Sequence, residues 1–184
     1  IETLRKGTLT LQVVDADDRP MTNIHVAVQQ KKHEFLFGAA LSSSAFESTN
    51  TTVETQTYLD TVKKYFNHAV PENAMKWTVN EPVRDKIDYA VADRMAAWCR
   101  TNGLSLRGHC VIWGCPEFMP EWVNELKGDA LRSALLLRTE HIMEHFKGRV
   151  GDFDVMNEIL HCTSLEGSLG EKIRKQIFKS ARSS

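Results

Sequence analysis

The stretch EFLFGAALSSSAF, residues 34–46, is the most informative part of this chain for its fold. From Phe35 to Leu41 it is apolar throughout, which is typical of a parallel strand that is buried on both faces. An open sheet that binds nucleotides places a glycine-rich loop directly after its first strand. Here serine-rich residues follow the strand instead and include no glycine. The stretch therefore argues against a nucleotide-binding open sheet.

Strand and helix patterns alternate from this stretch to the end of the chain. Helical spacing of apolar residues covers residues 52–66, 89–100, 130–146 and 169–181, and apolar extended segments cover residues 68–71, 104–113 and 150–156. This alternation predicts about four strand–helix units around a parallel sheet with right-handed crossovers. We therefore predict an α/β fold of the (β/α)8 TIM barrel class. A complete barrel typically needs about 250 residues, so the 184 residues supply its N-terminal half.

The N-terminal residues have a different pattern. Residues 8–14 and 24–29 alternate polar and apolar side chains, and a turn-forming cluster lies between them. This predicts a β-hairpin or a pair of edge strands. We expect an N-terminal β-strand appendage at residues 1–33 and a partial (β/α)8 domain at residues 34–184. Because the chain begins with Ile1 and not with methionine, we expect it to be processed or cut from a longer protein.

The composition excludes two classes of partner. The formal net charge is −1 at pH 7, whereas nucleic-acid binding usually needs a basic face, so no nucleic acid is expected. No apolar run reaches the roughly 18 residues that a membrane-spanning helix requires, so no membrane is expected either. The sequence opens on charged residues and contains no recognisable signal peptide.

The four cysteines are too few to indicate a disulfide framework in a chain of this length. Cys99 lies on an apolar helix face and Cys110 in an apolar strand pattern, so both are expected to be buried free thiols. Cysteine usage leaves the redox compartment open. No common zinc site has the spacing of the His and Cys residues His109, Cys110, Cys115, His161 and Cys162. The sequence therefore predicts no metal ion and no cofactor.

Polar and aromatic side chains follow three of the predicted strands. They are Glu72, Asn73, Lys76 and Trp77 after the second strand, His109 and Trp113 with the third, and Asn157 and Glu158 after the fourth. In a barrel, the carboxyl ends of the strands surround one cleft, so these side chains would meet. Amides, Lys and His can hydrogen-bond hydroxyl groups, and indole faces suit a sugar ring. The set predicts a neutral polyol as ligand, with Glu158 able to serve as general acid.

Six of these eight residues also have a purely structural interpretation. Glu158 can be an ordinary solvated carboxylate, and His109 can be a hydrogen-bonded core histidine. The two tryptophans can belong to the core. Glu72 and Lys76 are four residues apart and can form an ion pair on a helix surface, which is worth only tenths of a kcal/mol.

Three segments resemble, in order and at matching spacing, the hallmarks of family 10 glycoside hydrolases, the retaining endo-β-1,4-xylanases. They are residues 72–77, 108–113 and 154–158. The start of the first strand at residues 35–40 and the helix end at residues 145–150 are similar as well. The similarity spans about residues 8–182. It covers the first half of the family's catalytic domain.

The resemblance implies a role for each position. Glu158 matches the general acid/base, and Asn157 matches the amide that grips the 2-hydroxyl of the sugar being cleaved. His109 matches a donor to the same sugar. Glu72, Asn73 and Lys76 match residues that hold the next sugar toward the non-reducing end. Trp77 matches a residue that supports the loop carrying these three. Trp113 matches a residue that forms a wall of the reactive subsite.

The sequence departs from the family pattern in two places. Many members have a polar pair after the position of Trp113, where this chain has Gly114-Cys115-Pro116, so those polar contacts are not carried over. No position matches the family's nucleophile, a Glu on a strand of the second half. Retaining chemistry needs two carboxylates roughly 5–5.5 Å apart. We therefore expect the isolated chain to be inactive.

The sequence thus predicts a glycosidase of the retaining endo-β-1,4-xylanase type that hydrolyses xylan as part of a longer protein. Its expected partners are a polysaccharide or oligosaccharide substrate and a missing C-terminal half. Two other hypotheses stay open, a non-hydrolytic carbohydrate-binding half-barrel and a half-barrel that dimerises to cover its open sheet edges. A polysaccharide substrate implies an extracellular or otherwise exported protein.

Overall fold

The computed structural model describes residues 7–31, 34–48 and 51–184. The chain divides into two compact units, residues 1–34 and residues 35–184. The predicted domain boundary after residue 33 falls partly outside the described residues. The assignment of an appendage and a barrel domain as separate domains stays a prediction.

The first unit contains a turn where the sequence predicts a hairpin. The Asp15 carboxylate accepts hydrogen bonds from two backbone N–H groups of this turn, each at 2.9 Å. An isolated antiparallel bridge joins Val14 to Pro20. Over residues 7–31 the structure forms no strand beyond this bridge, so the two alternating segments do not pair in a ladder. A lone two-stranded hairpin is marginally stable in water, because it has no further strand or helix to bury its apolar face.

The second unit is built on a parallel sheet. Its strands are β1 (Gly38–Leu41), β2 (His68–Pro71), β3 (Ser105–Gly108) and β5 (Asp152–Phe153), in the spatial order β1-β2-β3-β5. Two further short strands, β4 (Ile112–Trp113) and β6 (Met156–Asn157), pair with each other in parallel. Parallel neighbours need crossover connections, and the helices of the chain provide them.

Helices occupy the segments between and after the strands. They are α1 (Ser44–Glu47), α2 (Val53–Tyr65), α3 (Trp77–Asn80), α4 (Ala90–Thr101), α5 (Glu121–Asn124), α6 (Gly128–His145), α7 (Ser164–Leu169) and α8 (Lys172–Ser183), and a 3-10 turn covers Pro116–Phe118. The four long helices agree with the four predicted ones. Within the described ranges, no helix has both the length and the apolarity that crossing a membrane would demand.

The helix ends follow from local chemistry. The hydroxyl of Thr52 accepts the backbone N–H of Thr55 at 3.1 Å and caps the start of α2. The predicted stop after α4 is confirmed, because Asn102 caps it and Gly103 has a φ of +72°. Gly148, with the same φ, follows the end of α6. A left-handed residue after a helix is a common terminator, and glycine adopts it without steric cost.

Two predicted strands are each split into two short ones. Residues 109–111 separate β3 from β4, and residues 154–155 separate β5 from β6. The two interruptions face each other, since the Asp154 N–H donates to the Gly108 carbonyl at 2.9 Å and the Asp154 carbonyl accepts the Val111 N–H at 3.0 Å. The peptide between residues 109 and 110 is cis. The backbone therefore departs from regular pairing at the edge of the candidate site.

Burial is one-sided in this sheet. Leu41, Ala69 and Leu106 are buried, and they join one apolar cluster with residues of the long helices, among them Leu59, Met95, Leu135, Ile142 and Ile177. Each fully buried aliphatic side chain contributes roughly 1.5–3 kcal/mol. The alternate positions of the sheet, such as Ser105 and Arg107, are exposed. The helices thus cover one face of the sheet.

The prediction that the first strand is buried on both faces is wrong for this chain. Regular strand structure begins only at Gly38, and burial changes along the strand from exposed Gly38 to buried Leu41. Phe35, Leu36 and Phe37, which precede it, are exposed. A closed barrel covers the inner face of its strands with side chains from the opposite strands. Half a barrel leaves that face open.

Candidate active site

The loops after β2, β3 and β6 bring five predicted site residues into one connected group. The Lys76 ammonium donates to the Asn73 side-chain oxygen at 2.7 Å and lies 5.1 Å from the centre of the Trp113 ring. Trp113 is in hydrogen-bond contact with Glu158, and its ring centre lies 6.1 Å from that of His109. The structure therefore gathers an amide, a cation, an imidazole, an indole and a carboxylate at the carboxyl ends of the strands.

Glu158 supplies the carboxylate of this group. Its Oε2 accepts the indole N–H of Trp113 at 3.1 Å, and the Sγ of Cys162 lies 3.9 Å from the same oxygen. The residue follows β6 directly and has a φ of +49°, a conformation that non-glycine residues rarely adopt. Its carbonyl accepts the N–H groups of His161 and Cys162 at 2.8 and 2.9 Å, which stabilises the turn. The side chain is exposed and can reach a ligand.

Asn157 and Trp113 are register partners in the β4–β6 pair. Register partners on neighbouring strands lie on the same face of a sheet, so the half-buried Asn157 belongs to the same surface as the indole. Glu72 directly follows β2 and is exposed, and its backbone N–H donates to the Leu41 carbonyl at 3.0 Å. Both residues thus lie at the strand ends where the sequence predicts them.

A charged cluster lies beneath this group. The Asp154 carboxylate accepts hydrogen bonds from the Arg107 guanidinium, with Nε at 3.1 and 3.0 Å from its two oxygens, and lies 3.0 Å from the Nδ1 of His109. Partial burial raises the pKa of Asp154, but the hydrogen bonds and charges of Arg107 and His109 outweigh it and leave the pKa below its usual range. Asp154 is therefore an anion near neutral pH.

The ionised Asp154 determines which ring nitrogen of His109 carries the proton. A carboxylate only accepts hydrogen bonds, so Nδ1 of His109 carries the proton in this pair. The Nε2 atom is left for a ligand, and it can accept from a sugar hydroxyl or, when protonated, donate to one. Neither Arg107 nor Asp154 is among the predicted site residues. For Arg107 the sequence contains one indication, its position two residues before His109, because residues two apart in a strand lie on the same face.

A family profile identifies the protein family to which the chain belongs. The profile described as Glycosyl hydrolase family 10 matches residues 26–183. The chain belongs to glycosyl hydrolase family 10. The resemblance predicted from residues 72–77, 108–113 and 154–158 is thereby confirmed. None of the site roles implied by that resemblance is tested by the match itself.

Curated relatives of this family-10 chain include both an enzyme and a regulatory factor. The chain is 37% identical to the anti-sigma-I factor RsgI6 of Acetivibrio thermocellus, over 99% of the chain and 23% of that protein. It is 30% identical to endo-1,4-beta-xylanase 1 of Arabidopsis thaliana, over 97% of the chain and 18% of that protein. The chain therefore spans about a fifth of the length of these two relatives.

Solved structures establish the fold of the family-10 chain. Xylanase 10B from Thermotoga petrophila RKU-1, in complex with xylobiose, matches with a TM-score of 0.70 at 23% identity over 79% of the chain and 45% of that structure. A GH10 endoxylanase from a sugarcane soil metagenome matches with a TM-score of 0.72 at 22% identity, over 82% of the chain and 45% of that structure. The predicted fold class, the N-terminal half of a (β/α)8 barrel, is confirmed. At these identities the likeness concerns the fold alone.

Trp77 does not join the other predicted substrate-binding residues. Its side chain is 2% exposed, its N–H donates to the buried Glu81 carboxylate at 2.9 Å, and its ring packs edge-on against Trp122. A residue buried in this way has no surface for a sugar ring, so the general suitability of indole faces for sugars does not apply to Trp77. Its position is compatible with the role that the resemblance implies, support of the loop after β2.

A disulfide joins two loops of the site. Cys115 and Cys162 are bonded, whereas Cys99 and Cys110 are the buried free thiols that the sequence predicts. Burial raises the pKa of both free thiols to about 12, so they stay protonated and unreactive. The sequence alone predicts no pairing of Cys115 with Cys162. The register of β4 with β6 brings the two cysteines together, and the sequence alone does not contain that register.

Arg138 is a buried cation behind the site. From α6 it donates to the Met75 carbonyl at 2.7 Å, the Val111 carbonyl at 3.2 Å and the Asn80 side chain at 3.1 Å. Burial lowers the pKa of Arg138, but the guanidinium remains charged. A fourth acceptor is the Tyr89 hydroxyl at 3.2 Å, whereas these three belong to the segments that carry Lys76 and Trp113. Arg138 therefore fixes the two loops relative to each other, a role that the helical pattern of α6 does not indicate.

The side chains of this site suit acid–base chemistry and the binding of hydroxyl groups. Over the residues that the structure describes, no cluster of three or more His, Cys, Asp or Glu side chains could hold a metal ion. An exposed carboxylate next to an indole, an amide, an imidazole and an ammonium group can protonate a leaving oxygen while hydroxyl groups are held nearby.

Proposed function

We propose that this chain is the acid/base half of a retaining endo-β-1,4-xylanase. The observation that carries the proposal is the contact of the exposed Glu158 carboxylate with Trp113, within the group that also contains Lys76 and His109. A carboxylate at the carboxyl end of a barrel strand, among hydroxyl-binding groups, suits protonation of a glycosidic oxygen.

In the proposed reaction, Glu158 acts twice. It first donates a proton to the glycosidic oxygen, so that the bond to the anomeric carbon breaks as a nucleophilic carboxylate attacks from the opposite face of the sugar. As a carboxylate, Glu158 then removes a proton from water, which attacks the glycosyl–enzyme intermediate and releases the nucleophile. Asn157 holds the 2-hydroxyl of the same sugar, and this hydrogen bond strengthens in the oxocarbenium-like transition state.

The nucleophile comes, in this proposal, from a C-terminal half of the protein. That half would pair with β5, which is an edge of the sheet, and would cover the apolar groove lined by Phe146, Val150, Phe153 and Phe178. The proposal is supported by the coverage of the xylanase structures, of which the chain matches 45%. Sedimentation should give a monomer for the longest natural form, whereas the 184-residue chain alone should self-associate through the open groove.

We further propose xylan or xylo-oligosaccharides as substrate and an exported location. The xylobiose complex of the Thermotoga petrophila enzyme supports the substrate class. A disulfide persists in oxidising compartments, so the Cys115–Cys162 bond supports export, as a polysaccharide substrate does.

The proposal is tested by Glu158→Ala in the longest natural form of the protein. The kcat/KM for xylo-oligosaccharides, whose leaving group needs a proton, should fall by roughly 10²–10⁴-fold. The kcat/KM for dinitrophenyl xylobioside, which reports the first step and whose leaving group departs without protonation, should fall far less. Glu171→Ala, an exposed carboxylate on the chain surface, is the matched control and should leave both rates unchanged. Equal losses of Glu158→Ala on both substrates would refute the role of Glu158.

A second candidate function is carbohydrate binding without hydrolysis. It is favoured by the similarity to RsgI6, which is named as an anti-sigma factor and not as an enzyme. Calorimetry with xylohexaose and a reducing-sugar assay on the same sample separate the two candidates. Binding with no sugar release by the longest natural form would select the binding function over the xylanase.

A further inference from the structure

The Cys115–Cys162 disulfide lies next to the carboxylate of Glu158, the proposed acid/base. Cys115 comes two residues after Trp113, and Cys162 comes four residues after Glu158. The bond therefore ties the loop of the indole donor to the loop of the carboxylate acceptor. The Sγ of Cys162 lies 3.9 Å from Glu158 Oε2, the oxygen that accepts the indole N–H.

The two loops are also packed tightly beside the disulfide. The Ser164 hydroxyl donates to the carbonyl of Gly114. A side chain at Gly114 would begin 3.1 Å from a methyl group of Leu165 and 3.4 Å from the Cys162 carbonyl, so only glycine fits there without displacing a neighbour. The disulfide is therefore the covalent part of a close contact between the two loops, and its loss would leave this contact to the hydrogen bond and the packing alone.

A second connection runs from the disulfide to the indole ring. Cys115 immediately precedes the 3-10 turn Pro116–Phe118, and the ring of Phe118 stacks on Trp113 with 3.8 Å between centres and an angle of 24° between planes. Stacked aromatic pairs contribute beyond their buried area, so this contact resists rotation of the indole. Cys115 therefore anchors the segment that holds the indole in the plane of its hydrogen bond.

We propose that the Cys115–Cys162 disulfide is a positioning element for Glu158, acting through Trp113. The inference rests on the proposed acid/base function. An oxygen that accepts an N–H is the carbonyl-like oxygen of a carboxylic acid, so the transferable proton of Glu158 is placed on Oε1. With the disulfide broken, the indole no longer selects the oxygen, and the acid delivers its proton less effectively.

The direct test follows the Trp113 indole resonance by ¹H–¹⁵N NMR in the longest natural form of the protein, with Trp113→Phe for assignment. When the disulfide is removed by Cys115→Ser with Cys162→Ser, the resonance should move to its position in Glu158→Ala. If the double variant does not fold, reduction of the folded protein with a phosphine gives the same comparison, because Cys99 and Cys110 are already free thiols. An indole resonance that stays in place after the bond is broken would overturn the proposal.

A kinetic test separates positioning from mere stabilisation. Loss of the disulfide should lower kcat/KM for xylo-oligosaccharides about ten-fold, the effect of one charge-assisted hydrogen bond, while kcat/KM for dinitrophenyl xylobioside, which reports the first step alone, stays almost unchanged. A lower melting temperature with unchanged rates on both substrates would mean that the bond is structural only, and would overturn the proposal. If the wild-type protein releases no sugar, the proposed function fails while the NMR test still decides the positioning of Glu158.

Discussion

The indole N–H of Trp113 meets the carboxylate of Glu158 at 3.1 Å, although the two residues are 45 positions apart in sequence. The contact spans the short β4–β6 pair, in which Trp113 and Asn157 are register partners. A residue that the sequence predicts as a wall of the reactive subsite is therefore also a hydrogen-bond partner of the predicted acid. Substitution of either residue is therefore expected to affect the other through this hydrogen bond.

Trp113→Phe removes this donor and retains an aromatic ring that can stack on Phe118. A hydrogen bond to a charged group contributes about 1.5–3 kcal/mol when buried, and the exposed position of Glu158 reduces it to about 1 kcal/mol. We expect kcat on xylo-oligosaccharides to fall about five- to ten-fold. The matched control is Trp98→Phe on α4, away from the site, which should leave kcat unchanged. An unchanged kcat for Trp113→Phe would show that the contact has no catalytic consequence.

Asp154→Asn should make stability less dependent on pH. The pKa of Asp154 is lowered in the folded protein because Arg107 and His109 favour its charged form over the opposing effect of burial. The stabilisation is therefore fully present above its ordinary pKa of 3.8 and is lost as pH falls through the folded value. At pH 7 the variant should be less stable by about 1 kcal/mol, since Arg107 is partly exposed.

Urea denaturation of wild type and Asp154→Asn at pH 7, 5 and 3 checks this expectation. The difference in unfolding free energy should be present at pH 7 and at pH 5 and should shrink at pH 3. Asp152→Asn, at an exposed neighbouring position, is the control and should show no such pattern. A difference that does not change with pH would mean that Asp154 stabilises by shape and not by charge.

The sequence predicts the parts of this fold that depend on local pattern. The long helices, the stop at Asn102 and Gly103, and the strand at residues 68–71 follow from periodicity and terminator residues, and the structure contains them all. The alternating segments at residues 8–14 and 24–29 have an equally clear local pattern but do not form a ladder. A strand also needs a covered face and a partner, and the local pattern specifies neither.

The candidate site shows the same limit. The motifs at the strand ends identify Glu158, Lys76 and Trp113, because a barrel must bring strand ends together. They do not identify Asp154 as the partner of His109 and Arg107, or Cys115 as the partner of Cys162, since both pairings depend on how two strands are aligned. They also place Trp77 in the cleft, whereas a bulky indole four residues before a buried Glu81 turns into the core.

Trp77→Phe should affect stability and not binding. The substitution removes the N–H that pairs with Glu81, a carboxylate that is 7% exposed. A buried acceptor left without its donor costs about 1–3 kcal/mol of unfolding free energy. Urea denaturation should detect this loss, while calorimetry should find the affinity for xylohexaose unchanged. Weaker binding at unchanged stability would restore Trp77 to the substrate-binding residues.

Lys76→Met should weaken binding with little effect on the chemical step. The ammonium group lies over the Trp113 ring and donates to Asn73, a position from which it can hold the sugar next to the reactive one. An interaction with a sugar that does not react is equal in the ground and transition states, so KM should rise about ten-fold with kcat nearly constant. Lys64→Met, an exposed cation on α2, is the control. A fall in kcat at constant KM would contradict this assignment.

Arg138→Met should test how the loops after β2 and β3 are held in place. The methionine side chain is apolar and similar in length to that of arginine. It leaves three buried acceptors without their donor, the carbonyls of Met75 and Val111 and the side chain of Asn80. A buried acceptor left without its donor costs about 1–3 kcal/mol, so urea denaturation should show a loss of at least this size. Arg100→Met, at an exposed position of α4, should cost less than about 0.5 kcal/mol.

Because Arg138 fixes the segments of both Lys76 and Trp113, the Arg138→Met protein that remains folded should also bind xylohexaose less tightly. A variant with full stability and full affinity would mean that neighbouring groups or water replace the guanidinium, and that the two loops hold their geometry without it.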